Sequence, residues 1–278
     1  MILILTSIFV IFWGQVVSVF FLFLSGYGLF MSFNEKGIHQ NYWNDKIAKI
    51  FTPYWIVTIC YFILIKGKDT SILLKNLLMV DFNRDMDATM WYMSLLIIWY
   101  FIFYILFKFE VNNIIRCFFM LLLASFILEN SSYFDSCSWQ FQQNAFSFPL
   151  GVVAAMIIHY CNDRVRVRKC TYIFLILPVL IIYGCAVFAK VSFQLQNLLL
   201  VLLMIIVVKL IIRFDLKYGF LSKLGTYSYP IYLIEGKLFV LLPRVNNSFC
   251  DLGIYFGGIM GVMLIYCFII RKTVGKIK

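Results

Sequence analysis

Long apolar blocks, separated by short charged stretches, run through this chain from end to end. One lies within 2–32, best placed at 15–32. The others are 49–65, 90–107, 113–128, 144–160, 171–189, 194–212, 224–242 and 252–270. Each approaches the roughly 20 residues that a helix needs to cross a hydrocarbon core of ~30 Å. The pattern predicts an all-α, polytopic integral membrane helix bundle with about nine transmembrane spans. The shorter block 71–80, SILLKNLLMV, cannot cross and reads as an interfacial or loop helix. No repeat or low-complexity tract interrupts the series, so residues 1–278 read as a single membrane-embedded domain.

Composition agrees with this reading. Of 278 residues, 63% are hydrophobic and 13% charged, with a mean hydropathy of +0.92. Soluble domains carry about twice that share of charge, which excludes a soluble, disordered or disulfide-stapled secreted chain. A net charge of +11 suggests nucleic acid in a soluble protein, but here it orients the helices, and no nucleic-acid partner is expected. Of the 24 Lys and Arg, seventeen fall in 33–49, 108–116, 161–169, 209–223 and 271–278. Seven fall in the alternating segments 66–89, 130–143, 189–193 and 237–251. Basic residues collect on the cytoplasmic side, so the first set and the C-terminus are placed inside. With nine spans the N-terminus lies outside. Residues 1–13, MILILTSIFVIFW, have no basic lead and no small-residue cleavage site, so no cleavable signal peptide is read. The uncharged start is most simply explained by a helix missing ahead of Met1. Residues 1–12 would then be the outer end of that lost helix or a re-entrant piece.

Five stretches depart from plain lipid filler. Ser25-Gly26 is a small pair among phenylalanines and suits close helix packing. Lys46 and Lys49, three apart ahead of Pro53, share a helix face at the inner surface. They snorkel as orienting charges or form a cationic lip for the phosphates of an anionic cytosolic donor. An acidic outer loop, Asp85-Met86-Asp87, precedes Trp91-Tyr92, which is either an interfacial belt or a sugar platform. Phe148-Pro149-Leu150-Gly151 suggests a broken helix beside a cavity. Finally, Glu235 lies inside an apolar span after Tyr229 and Tyr232. An intramembrane carboxylate is costly and is a functional candidate, unless it only partners Lys237 or a tyrosine hydroxyl.

Two histidines occur, His39 in the first basic loop and His159 at the inner end of its span; an interfacial histidine is more often solvated than catalytic. The eight cysteines form no CxxC pair, so no structural zinc site is expected. Cys137 and Cys250 both fall in outer segments, which allows an extracytoplasmic disulfide. No GxSxG, Walker A, HExxH or GxGxxG motif is present.

In order and spacing, these stretches resemble the acyltransferase-3 family of bacterial integral-membrane O-acyltransferases, over nearly the whole chain. The family's FFxxSGxxL pattern is similar to Phe20-Phe21-Leu22-Phe23-Leu24-Ser25-Gly26-Tyr27-Gly28-Leu29. Its basic loop and proline are similar to Lys46 through Trp55, and its WFL helix start to Trp91-Tyr92-Met93-Ser94-Leu95. Its F-x-x-G helix is similar to Phe148 through Gly151, and its LGxxSYxIYLxH pattern to Leu224 through Glu235. Two departures stand out. The family's usual first helix, with an arginine stretch and the histidine thought to be the base, should precede Val17 and is not there. The late pattern's usual histidine is Glu235 here.

The resemblance implies transfer of an acyl group, acetyl above all, from a cytosolic thioester to a cell-surface or lipid-linked sugar hydroxyl. Acetyl-CoA or another acyl-CoA is the implied donor substrate, with no permanently bound cofactor or metal. The lipid bilayer and the glycan acceptor are the other partners, in the bacterial cytoplasmic membrane. Glu235, and less directly His159, are the candidate catalytic residues. Lys46 and Lys49 would bind the donor. Ser25, Gly26, Trp91, Tyr92, Tyr229 and Tyr232 would line the acceptor cavity. A polysaccharide polymerase, a flippase or another polytopic transporter is the alternative class.

Overall fold

The computed structural model describes residues 2–213 except 39, 66–68, 84–85, 88–90, 162–168 and 190, with backbone alone over 2–17, 161, 169–173 and 193. Beyond these it describes Tyr229, Tyr232, Leu233, Lys237, Gly257 and Gly261. Every regular element among the described residues is helical. They are α1 (Ile2–Lys36), α2 (Tyr42–Lys46), a π turn (Ile47–Phe51), α3 (Thr52–Leu64), α4 (Thr70–Leu77) and α5 (Trp91–Lys108). There follow α6 (Asn113–Glu129), a 3₁₀ segment (Ser131–Cys137), α7 (Ser138–Asn144), α8 (Ser147–Cys161), α9 (Lys169–Phe188) and α10 (Phe193–Arg213). Among the described residues four stretches are long and apolar enough to cross a membrane: Tyr42–Leu64, Trp91–Lys108, Ser131–Tyr160 and Gln194–Ile211. The chain is a multi-pass, all-helical membrane protein. Of the nine blocks read from the sequence, 224–242 and 252–270 lie outside the described residues apart from the six late positions just named.

The first block behaves differently from its reading. Residues 2–12 are no separate piece but the opening turns of α1, a single helix of 35 residues. At 1.5 Å per residue it is about 50 Å long. No charge or proline interrupts Ile2–Asn34, so nothing in the sequence ends the helix earlier. Gly37 ends it at φ +68°, with its N–H returned to the Phe33 carbonyl at 2.7 Å. That left-handed C-terminal turn suits glycine, which has no Cβ to clash.

The chain divides into two compact units. The first holds residues 1–38 and 95–216 and is organised by α1 crossing α8. A Cβ placed on Gly26 would meet the Phe148 carbonyl oxygen and come within 3.3 Å of Val152 Cγ2. One on Gly151 would meet the Phe23 carbonyl, its carbon 2.9 Å away. The two glycines thus seat each helix on the other's backbone, the close approach that small residues permit. Around the crossing, Phe148 stacks on Trp99 at 5.8 Å and 6°. Val19, Phe23, Ile158, Leu200, Val201 and Met204 form the adjoining core. The expected break near Pro149 lies at Ala145–Phe146, between α7 and α8, with Pro149 in the first turn of α8. A proline there loses no helical hydrogen bond. The Asn197 side-chain amide donates to the Gln143 carbonyl just before this break.

The second unit holds residues 39–94 and 217–278. It contains α2 to α4, the first turn of α5, and the described residues of the late tyrosine-rich block.

Candidate functional site

The second unit carries a deeply buried pair of charges. Its frame is α3, where Tyr54, Val57, Thr58 and Tyr61 are buried. Spacings of three and four place them on one helical face. The Tyr54 hydroxyl donates to the Asn76 carbonyl at 2.7 Å, and the Trp55 indole N–H to the Leu77 carbonyl at 2.9 Å. These bonds fix α4 alongside α3. The Asn76 amide then donates to Asp81 Oδ2 at 2.6 Å, and the Met86 N–H reaches the same oxygen at 3.4 Å. Met79 turns the chain between them at φ +60°. One carboxylate of the loop after α4 is therefore spent on folding that loop and delivering Asp87.

Asp87 meets Lys237, Nζ to Oδ2 at 2.9 Å, with 1% and 4% of the two side chains exposed. The ammonium also lies over the Tyr61 ring, 5.6 Å from its centroid. Tyr92 and Tyr232 meet edge to face at 5.2 Å in the same unit. An ion pair this deep costs several kcal/mol per ion in lost hydration, which close contact must offset. In a membrane protein such charges mark functional positions.

At the other end of α3, Pro53 cannot supply the backbone donor that a regular helix needs. The helix accommodates it with the π turn at Ile47–Phe51, and Thr52 Oγ1 donates to the Ile47 carbonyl at 2.9 Å. Beside it the Tyr229 hydroxyl donates to the Ile50 carbonyl at 2.7 Å and lies 3.7 Å from Met93 Sδ. Lys46 is half-buried, its ammonium 5.4 Å from the Tyr42 centroid. Lys49 is exposed and only loosely paired with Asp45, at 4.0 Å.

The second unit therefore gathers Lys46, Lys49, Trp91, Tyr92, Tyr229 and Tyr232 from the residues singled out in the sequence. Trp91 is half-buried and sets its ring edge to face with Tyr92 at 6.2 Å. Ser25, Gly26 and His159 belong to the first unit. Ser25 hydrogen-bonds Tyr100, and Gly26 is filled by α8. His159 is exposed at the end of α8, its Nε2 3.0 Å from the Asn34 amide nitrogen. Glu235, His39 and Cys250 lie outside the described residues. Sequence reasoning named Lys237 only as a partner for Glu235 and missed its pairing with Asp87. A signal was present: Asp87 closely precedes one apolar block and Lys237 lies near the end of another, both at ends that the charge count places outside. Tyr61 carried no signal of its own.

No curated protein and no solved structure matches the chain. A family model described as an acyltransferase domain matches residues 2–272, which includes both units and the apolar blocks from first to last. A helical membrane chain that buries an ion pair among tyrosines, and is matched over that length, belongs to the acyltransferase-3 family of membrane acyltransferases.

Proposed function

We propose that this chain transfers an acyl group, acetyl in the simplest case, from a cytosolic acyl-CoA to a hydroxyl of a cell-surface or lipid-linked glycan. The setting is the bacterial cytoplasmic membrane, with the C-terminus inside. The observation that carries the reading is the buried Asp87–Lys237 pair with Tyr61 beneath it, in a chain of the acyltransferase family. Acyl transfer needs fixed charge and hydrogen-bond donors where negative charge develops. A purely structural bundle has little use for a desolvated lysine.

The remaining roles follow from position. Lys46 and Lys49 precede α3 on the side the charge count places inside, where cations suit the phosphates of coenzyme A. The faces and hydroxyls of Trp91, Tyr92, Tyr229 and Tyr232 suit a sugar ring. Glu235 is the proposed base that takes the hydroxyl proton. The acceptor oxygen then adds to the thioester carbonyl carbon. The tetrahedral adduct collapses with cleavage of the carbon–sulfur bond, and the thiolate leaves and takes up a proton. Ester and free coenzyme A are the products, and the scheme uses no resident cofactor.

Membranes containing the chain, supplied with acetyl-CoA labelled on the acetyl carbon, test the reading. Label in an alkali-labile ester on glycan is the expected result. Glycan elongation or translocation that is independent of acyl-CoA would instead identify a polymerase or flippase.

A further inference from the structure

Two tyrosines on the buried face of α3 differ in one respect. The Tyr54 hydroxyl is used by the fold, through the Asn76 carbonyl. The Tyr61 hydroxyl, two turns further on, is buried and has no hydrogen-bond partner among the described residues, although only 2% of the residue is exposed. A buried hydroxyl left unmatched costs about 1–3 kcal/mol. Phenylalanine would fill the same space without that cost. Native structures carry few such groups, and each calls for an explanation.

The explanation lies in what adjoins it. The Lys237 ammonium stands over the same ring and is held by Asp87. Lysine offers three N–H donors, of which a single carboxylate oxygen at 2.9 Å engages one direction. The region thus holds a charged donor and a neutral donor, both desolvated. Desolvated donors of this kind stabilise charge that develops on a bound oxygen far more than the same groups do in water.

We propose that the Tyr61 hydroxyl and the Lys237 ammonium form the oxyanion site of the acyl transfer, receiving the carbonyl oxygen of the acyl group. The site rests on the acyl-transfer reading above and adds to it the two groups that carry the transition-state charge. As the acceptor oxygen bonds to the carbonyl carbon, the carbonyl π electrons move onto the oxygen facing Tyr61 and Lys237. When the carbon–sulfur bond breaks, the electrons return and the thiolate departs. Asp87 touches no reacting atom. It is a positioning residue that keeps Lys237 charged and oriented in apolar surroundings.

The full chain, purified into lipid nanodiscs and assayed with labelled acetyl-CoA and the glycan fraction of its host, provides the test. Tyr61→Phe is expected to keep or raise the temperature of thermal unfolding, to leave the acetyl-CoA KM unchanged and to lower kcat on the order of 10²-fold, the usual effect of removing one oxyanion donor. A tyrosine with no part in the reaction would show the same stability but keep its kcat, so turnover is the readout that separates the two. Lys237→Met alone risks misfolding, so the exchanged pair Asp87→Lys with Lys237→Asp is the second arm. It is expected to recover stability by restoring opposite charges but not kcat, because the cation then stands on the wrong element. Wild-type kcat in Tyr61→Phe, or in the exchanged pair, overturns the site while leaving acyl transfer intact. A folded wild-type chain that transfers no label overturns the acyl-transfer reading and the site with it.

Discussion

Asp87 and Lys237, far apart in the sequence, are joined at 2.9 Å and almost completely withdrawn from solvent. Removing one charge strands the other in a low-dielectric setting. Asp87→Asn or Lys237→Met should therefore destabilise the chain by about 3–5 kcal/mol. The double variant Asp87→Leu with Lys237→Met should recover most of that loss, since an apolar pair of similar volume needs no hydration. Thermal unfolding of the detergent-solubilised chain distinguishes the single variants from the double.

The glycine crossing of α1 and α8 gives a contrast within a single helix. Gly26→Ala places a methyl against the Phe148 carbonyl and forces α8 outward, so a loss of about 1–3 kcal/mol is expected. Gly28, two residues on, is exposed, and a methyl added there would have nothing within 4 Å. Gly28→Ala should be neutral or stabilising by up to about 1 kcal/mol, because alanine is the better helix former. Chemical denaturation of the two variants side by side measures the difference.

Asn76 joins α4 to the loop that follows it through Asp81. Asn76→Ala removes that bond and leaves the buried carboxylate with one donor fewer. Amide hydrogen exchange should accelerate at Met86, whose N–H bonds the same Asp81 oxygen. Exchange at Tyr100 in the first unit should not change.

Lys46 and Lys49 test the donor lip. Both substituted by alanine should raise the acyl-CoA KM with kcat retained, Lys49 contributing the smaller share because it is exposed and screened by salt. A KM that does not respond to ionic strength in the wild type would remove phosphate recognition from these lysines.

Most of the helical scheme was legible. The block 90–107 is α5 at Trp91–Lys108, 113–128 is α6 at Asn113–Glu129, and 71–80 is the short α4 at Thr70–Leu77. Apolar runs report these three helices faithfully because charge and loop coincide at their boundaries. The packing role of Ser25-Gly26 was equally legible, since a small pair amid phenylalanines lets a helix backbone approach. Other features could not be read. Residues 2–12 join α1 because nothing breaks the helix, and hydropathy alone does not say whether adjoining apolar residues share one helix. The Asp87–Lys237 pair is a tertiary fact: local pattern shows that a buried lysine needs a partner, but not which carboxylate reaches it. That the Tyr61 hydroxyl has no partner among the described residues is likewise a tertiary fact, which no window of sequence contains.

The π turn at Ile47–Phe51 amounts to one residue of surplus chain wound into a helix. Rewound as a regular helix with every residue kept, the segment would turn α3 by about 100° and carry Tyr54, Thr58 and Tyr61 off the inner face. Deleting Ala48 removes the surplus itself and leaves that face in phase. One codon lost at the turn therefore spares the chemistry, whereas one lost between Pro53 and Tyr61 rotates the face that carries it.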